Sequence, residues 1–178
     1  VNVSAWQLRG QHLPGMIAQI LEETRVKPEY LELEVTESAV MHNVDDAGET
    51  LRALKAMGIR ISIDDFGTGY SSLANLKSFS IDCLKIDRSF INNVSHSRDD
   101  KAIVFAIIAM ARSLNLKVVA EGVEKEEQLA CLRENGCHEV QGHLFCPPLP
   151  PAEFMSFVAG QELLTAPHCL QMAAELLA

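Results

Sequence analysis

Short apolar runs alternate with longer stretches of helical periodicity along the whole chain. The runs at 1–4 (VNVS), 30–36 (YLELEVT), 59–64 (IRISID), 82–87 (DCLKID), 117–121 (KVVAE) and 138–142 (HEVQG) have strand length and many β-branched residues, and predict six strands. Between them, apolar positions three and four residues apart predict helices near 13–25, 45–57, 71–78, 99–114 and 125–135. Asp45 and Asp46 suit the first turn of the second helix, and Gly58 suits the position past its end. Ala102, Ile103, Phe105, Ala106, Ile107, Ala109 and Met110 make the fourth helix apolar nearly all round, which predicts a largely covered helix.

Strands alternating with helices imply parallel pairing with right-handed crossovers, either as an open doubly wound sheet or as a closed barrel. The pattern inside the strands favours the barrel. Glu32, Glu34 and Thr36 alternate with Leu31, Leu33 and Val35, and Lys85 and Asp87 alternate with Leu84 and Ile86. One face of each strand is therefore polar towards its C-terminal end, as at a barrel mouth. Six strands fall two short of eight. The expected fold is α/β, a (β/α)8 TIM-type barrel truncated to about six βα units over residues 1–160, followed by an amphipathic tail helix over 161–178.

Composition narrows the function classes. The net charge of −9 argues against non-specific nucleic-acid binding, and no basic cluster marks a membrane patch. Five scattered cysteines without a C-x-x-C pair suit a reduced, cytoplasmic setting, within a parent protein that a membrane anchor elsewhere would not contradict. The six histidines show no zinc spacing.

Parallel pairing brings Asn2, Glu34, Glu37, Asp64, Asp65, Lys85, Asp87, Glu121, Glu124 and Gln141 to one rim. A lone Asp after a strand is usually a cap or turn former. Polar groups at the ends of all six strands are hard to assign to capping. Oxygen donors without His or Cys select hard cations such as Mg²⁺, Mn²⁺ or Ca²⁺. Two such ions would relieve the repulsion between Asp64 and Asp65, activate water and clamp a phosphoryl group. Lys85 fits either an ion pair with Asp64 or Glu34 or the orientation of that water. Gly67 and Gly69 flank Thr68 in a G-x-G pair that is weak as a phosphate motif and suits a loop gating the acidic pair. Trp6 is expected to pack the helix that follows the first strand.

The segments NVSAWQL, LEVTES, IDDFGTGYSSL, LKID, VVAEGVE and QGHLF, in this order and spacing, resemble the EAL-domain phosphodiesterases that hydrolyse cyclic di-GMP. The resemblance runs from residue 1 to about 157 and implies a modified (β/α)8 barrel, a Mg²⁺ or Mn²⁺ two-metal site and the linear product pGpG. By motif, Asn2, Glu34 and Asp64 match first-metal ligands, with Asp64 and Asp65 reaching the second metal. Lys85 and Glu121 match the pair that holds or deprotonates the attacking water. Asp87 supports that centre, and Gln141 sits at its edge. Glu37 matches the anchor of the loop Phe66, Gly67, Thr68, Gly69, Tyr70, Ser71 and Ser72, which the family uses to couple homodimerisation to metal binding. Sensory or GGDEF-type domains are expected N-terminal to it in the parent.

Some residues depart from the family. The E-A-L signature is absent, and its Glu would belong to a strand before Val1, matching the two βα units that strand counting leaves out. The 178 residues alone are expected to bind metal poorly and hydrolyse little. His138 stands where Asp is usual, His143 where Tyr is common, and Cys146 and Pro147 replace a small and a basic residue. The alternatives are a non-catalytic cyclic di-GMP receptor or protein-interaction module, and an aldolase- or enolase-like barrel with Lys85 as base.

Overall fold

The computed structural model describes residues 1–10, 12–69, 73–137 and 139–160. In chain order the elements are β1 (Asn2–Val3), α1 (Ala5–Arg9), α2 (Leu13–Thr24), a 3-10 turn (Pro28–Tyr30), β2 (Glu32–Thr36), α3 (Glu37–Met41), α4 (Val44–Ala56), β3 (Arg60–Phe66) and α5 (Leu73–Ser78). They continue as β4 (Cys83–Ile86), α6 (Arg88–Ile91), α7 (Arg98–Ser113), β5 (Lys117–Glu121), α8 (Glu126–Glu134), β6 (Glu139–Gln141) and α9 (Pro151–Gly160). The described strands form one parallel sheet in the order β1-β2-β3-β4-β5-β6. A doubly wound sheet reverses its strand order part-way. Here every crossover steps to the next strand in the same direction, which is the winding of a (β/α) barrel. Among the described residues β1 pairs only with β2 and β6 only with β5, so the barrel wall is an open arc.

Register decides what this arc carries. Asn2 lies opposite Glu34, Glu34 opposite Ser62, Ser62 opposite Cys83, Lys85 opposite Val119, and Glu121 opposite Gln141. Residues in register share a face and residues two apart return to it. Asn2, Glu34, Asp64, Lys85, Glu121 and Gln141 therefore line the inner face towards the strands' C-terminal ends. The alternate positions Leu33, Val35, Ile61, Ile63, Leu84 and Ile86 are buried in the core with Val40, Leu51, Leu54, Ile91 and Ile108 from the helices. Each such side chain contributes roughly 1.5–3 kcal/mol by leaving water.

Several expectations needed correction. β3 runs two residues beyond 64, through Asp65 and Phe66. α7 is not largely covered: only Val104, Ile107, Ile108 and Ala111 are buried, and Ile103 is 40% exposed, because alanines lighten an outward face that the apolar pattern marks as core. Trp6 is 81% exposed on α1, and Leu8 is the buried residue of that helix. The short helices α1, α3 and α6, and α9, were not anticipated. Tyr70, Ser71, Ser72, His138 and the tail helix expected over 161–178 lie outside the described residues. No helix of the described residues is long and apolar enough to cross a membrane.

Candidate active site at the strand ends

The adjacent carboxylates Asp64 and Asp65 sit at an irregularity of the sheet. Ile63 pairs with Leu84 and Phe66 with Ile86, so two residues of β3 stand against the single Lys85 of β4. In a regular strand successive side chains point to opposite faces, and an inserted residue breaks that rule. Asp65 takes up the extra residue at φ 54°, a left-handed conformation that Asp tolerates better than most residues. Its N–H donates to Asp64 Oδ1 at 3.1 Å. Both carboxyl groups are thereby kept at the rim. Asp65 is exposed; partial desolvation, and then the charges of Asp64 and Asp87, raise its pKa.

Lys85 is the cation at the centre of this rim, and it is only 5% exposed. Its Nζ lies 2.6 Å from Glu121 Oε1, 2.9 Å from Glu34 Oε1 and 3.5 Å from Asp64 Oδ1. Both pairings expected for Lys85 are thus present, with Glu121 as a third partner. Burial acts to discharge Lys85, but its hydrogen bonds to Glu121 and Glu34 and the nearby charges outweigh burial and raise its pKa. Glu121 is raised: burial, Asp64 and Glu34 prevail over the stabilising pull of Lys85.

Asp87 lies past the end of β4, where it is the N-cap of α6. It accepts from the Ser89 N–H at 3.0 Å and from the Ser89 hydroxyl. Burial works against its charge, yet these donors, the Arg88 N–H and a hydrogen bond with Asp65 lower its pKa overall. Capping and membership of the acidic cluster coexist in this residue. Glu37 opens α3 and is 2% exposed. Its Oε2 accepts the Gly67 N–H at 2.8 Å, and Oε1 would be 2.6 Å from a Cβ at position 69, so any larger residue there would have to displace the Glu37 carboxylate. Thr68 closes the turn with its hydroxyl on the Asp65 carbonyl at 2.8 Å, while Phe66 is buried in the core.

Asn2 and Gln141 stand in register with Glu34 and Glu121 but are exposed. Glu124 is exposed too, and its backbone N–H, rather than its carboxylate, is engaged, by Gln128. His143 is exposed beyond β6, and the Cys146 thiol donates to the Pro147 carbonyl. Two further residues carry a local signal in the sequence: Ser89, whose D-x-S spacing after a strand marks an Asx-type cap, and Gln128, the third helical residue after Lys125 and so the capping-box position.

The donor chemistry of this rim fits a hard divalent cation. The donors are oxygens, and Asp64, Asp65 and Asp87 crowd negative charge at one point. Among the described residues no three His, Cys, Asp or Glu side chains converge closely enough to enclose an ion in this conformation, and Lys85 Nζ takes the point shared by Glu34, Asp64 and Glu121.

Comparison with known proteins gives this rim its context. A family model described as EAL domain matches residues 1–148. The chain belongs to the EAL domain family. It is 49% identical over 167 residues to the cyclic di-GMP phosphodiesterase NbdA of Pseudomonas aeruginosa, covering 94% of this chain and 21% of NbdA. Among solved structures, the PaMucR phosphodiesterase in complex with c-di-GMP superposes with TM-score 0.84 at 49% identity, covering 86% of this chain and 62% of that one. The manganese and cy-diGMP complex of Klebsiella pneumoniae BlrP1 gives TM-score 0.77 at 33% identity, covering 83% of this chain and 38% of that one. The chain thus spans about a fifth of the curated relative's length.

Proposed function

We propose that this EAL domain hydrolyses one phosphodiester bond of cyclic di-GMP to give linear pGpG, with two divalent cations, Mg²⁺ or Mn²⁺, at the rim. The observation that carries the reading is Lys85 held by Glu34, Asp64 and Glu121 beside the bulged Asp64–Asp65 pair. Asn2, Glu34 and Asp64 would hold the first cation, and Asp64 with Asp65 the second. The cations supply Lewis acidity: they make water a nucleophile near neutral pH and offset phosphoryl charge.

The protein's own groups divide the remaining work. Lys85, held charged by its carboxylate partners, donates hydrogen bonds and orients the attacking water. A lysine kept protonated is poorly suited as a general base, which counts against an aldolase- or enolase-like reaction. Glu121, with its raised proton affinity, is placed to accept the water's proton. Asp87 stands beside Asp65 and adds to the charge there, Gln141 borders the site beside Glu121, and the Glu37 carboxylate accepts the Gly67 N–H and so holds that turn against the acidic pair. A homodimer, sensory or GGDEF-type N-terminal domains and a cytoplasmic setting belong to the same proposal.

The test is product analysis of the full-length protein. Cyclic di-GMP should be converted to pGpG with Mg²⁺ or Mn²⁺, and not with excess chelator. Binding of the cyclic dinucleotide without a linear product, metal present, would instead make the domain a receptor.

A further inference from the structure

Among the described residues, Gln128 is a buried polar side chain outside the rim whose hydrogen bonds go to the backbone. It is 2% exposed, on α8, and its amide uses both ends. Oε1 accepts the backbone N–H groups of Glu124 at 2.8 Å and Lys125 at 2.9 Å. Nε2 donates to the carbonyls of Ile91 at 3.2 Å and Asn92 at 3.4 Å. The first pair of bonds is ordinary capping of α8. The second leaves the helix altogether and fastens it to the far end of α6.

What these two elements carry gives the bridge its meaning. α6 is a single turn whose N-cap is Asp87, and the Asp87 carboxylate lies close enough to Asp65 for each to shift the other's proton affinity. The segment Gly122–Lys125 follows directly on Glu121. The two also touch at their near ends: Gly122 has φ 70°, and a Cβ there would lie 2.6 Å from Arg88 Cβ. Contact at Gly122 and Arg88, together with the Gln128 bonds, holds the segment against α6 at two separated points. Two points fix the orientation as well as the distance.

We propose that Gln128 is a positioning residue: its bonds to the Ile91 and Asn92 carbonyls make α6 and the Gly122–Lys125 segment one body and so set Glu121 relative to Asp87 and Asp65. This rests on the phosphodiesterase reading of the rim. A group that acts through placement of a proton acceptor affects turnover more than substrate binding.

The informative substitution is Gln128→Glu in the full-length protein. A carboxylate keeps both acceptors for the Glu124 and Lys125 N–H groups but has no donor for the carbonyls of Ile91 and Asn92. The expected result is kcat for cyclic di-GMP lowered about tenfold or more with KM within twofold. Hydrogen exchange should accelerate at 88–92 and stay unchanged in α8. A folded Gln128→Glu protein with wild-type kcat and exchange overturns the proposal, as does a kcat loss that only tracks the folded fraction. If Gln128→Glu does not fold, Gly122→Ala, which pushes the segment away from Arg88, takes its place: the same kcat loss and faster exchange support the proposal, and wild-type values of both overturn it. Absence of turnover in the wild type defeats the functional reading instead, and the exchange pattern alone then decides the coupling.

Discussion

The two ends of the strands treat charge in opposite ways. At the N-terminal end opposite charges meet in pairs. Lys55 Nζ meets Asp82 at 2.6 and 2.8 Å, and Asp82 also accepts the Ile61 N–H. Arg60 faces Glu32 at 3.8 Å, and Lys117 faces Glu139 at 3.0 Å. At the C-terminal end Lys85 answers to Glu34, Asp64 and Glu121, while Asp65 and Asp87 lean on each other. One end matches its charges in pairs; the other keeps a surplus of carboxylate that a divalent cation would satisfy. The same backbone thus separates stability from chemistry along its axis.

The contrast can be broken first at Asp64. Asp64→Asn should lower turnover by about 10³-fold or more, since it removes a charge proposed to bind both cations. The thermal midpoint of the metal-free protein should hold or rise, because repulsion is relieved. Next is Lys85→Met, which leaves three carboxylates facing one another. It should destabilise the metal-free protein by roughly 3 kcal/mol, read by denaturant titration, and Mg²⁺ should restore part of that loss. Asp82→Asn probes the opposite end. It should cost about 1–3 kcal/mol through the weakened Lys55 and Ile61 bonds, while turnover per folded molecule stays within twofold.

A smaller effect is expected from Asp65→Asn, and its pH dependence has a defined sign. The folded-state pKa of Asp65 is raised, so folding pulls a proton on, and its ionised form opposes the fold at neutral pH. Without metal the variant should be more stable than the wild type at pH 7. That advantage should fade as pH falls towards the ordinary carboxylate value, and thermal melts across pH 4–7 would read it. Least of all should follow from Lys117→Met, where the lysine side chain is 65% exposed: about 0.5 kcal/mol or less.

Much of this architecture is written in local alternation. The run Glu32-Leu33-Glu34-Val35-Thr36 shows which residues face inward and which enter the core, and its mouth-like polarity was enough to favour a barrel over a doubly wound sheet. The bulge at Asp64 and Asp65 was not legible, because it arises from pairing against β4, two residues against one. Lys85 posed a similar limit: its alternatives narrowed only once Glu34, Asp64 and Glu121, from three different strands, were seen within reach. Single-turn helices such as α3 and α6 lack the length for periodicity to show, though the caps Thr36 and Asp87 that start them are visible in sequence. Trp6 shows the reverse error, since a large apolar side chain was expected to be covered and stands in solvent.

The C-terminal rim is proposed to load divalent cations for a cyclic dinucleotide. Its most direct test is Mn²⁺ binding to the full-length protein in the presence of cyclic di-GMP, followed by electron paramagnetic resonance. Two bound Mn²⁺ per chain are expected in the wild type, the same in Asp82→Asn, and fewer in Asp64→Asn. Equal Mn²⁺ binding by the wild type and Asp64→Asn, or none by the wild type, would contradict it.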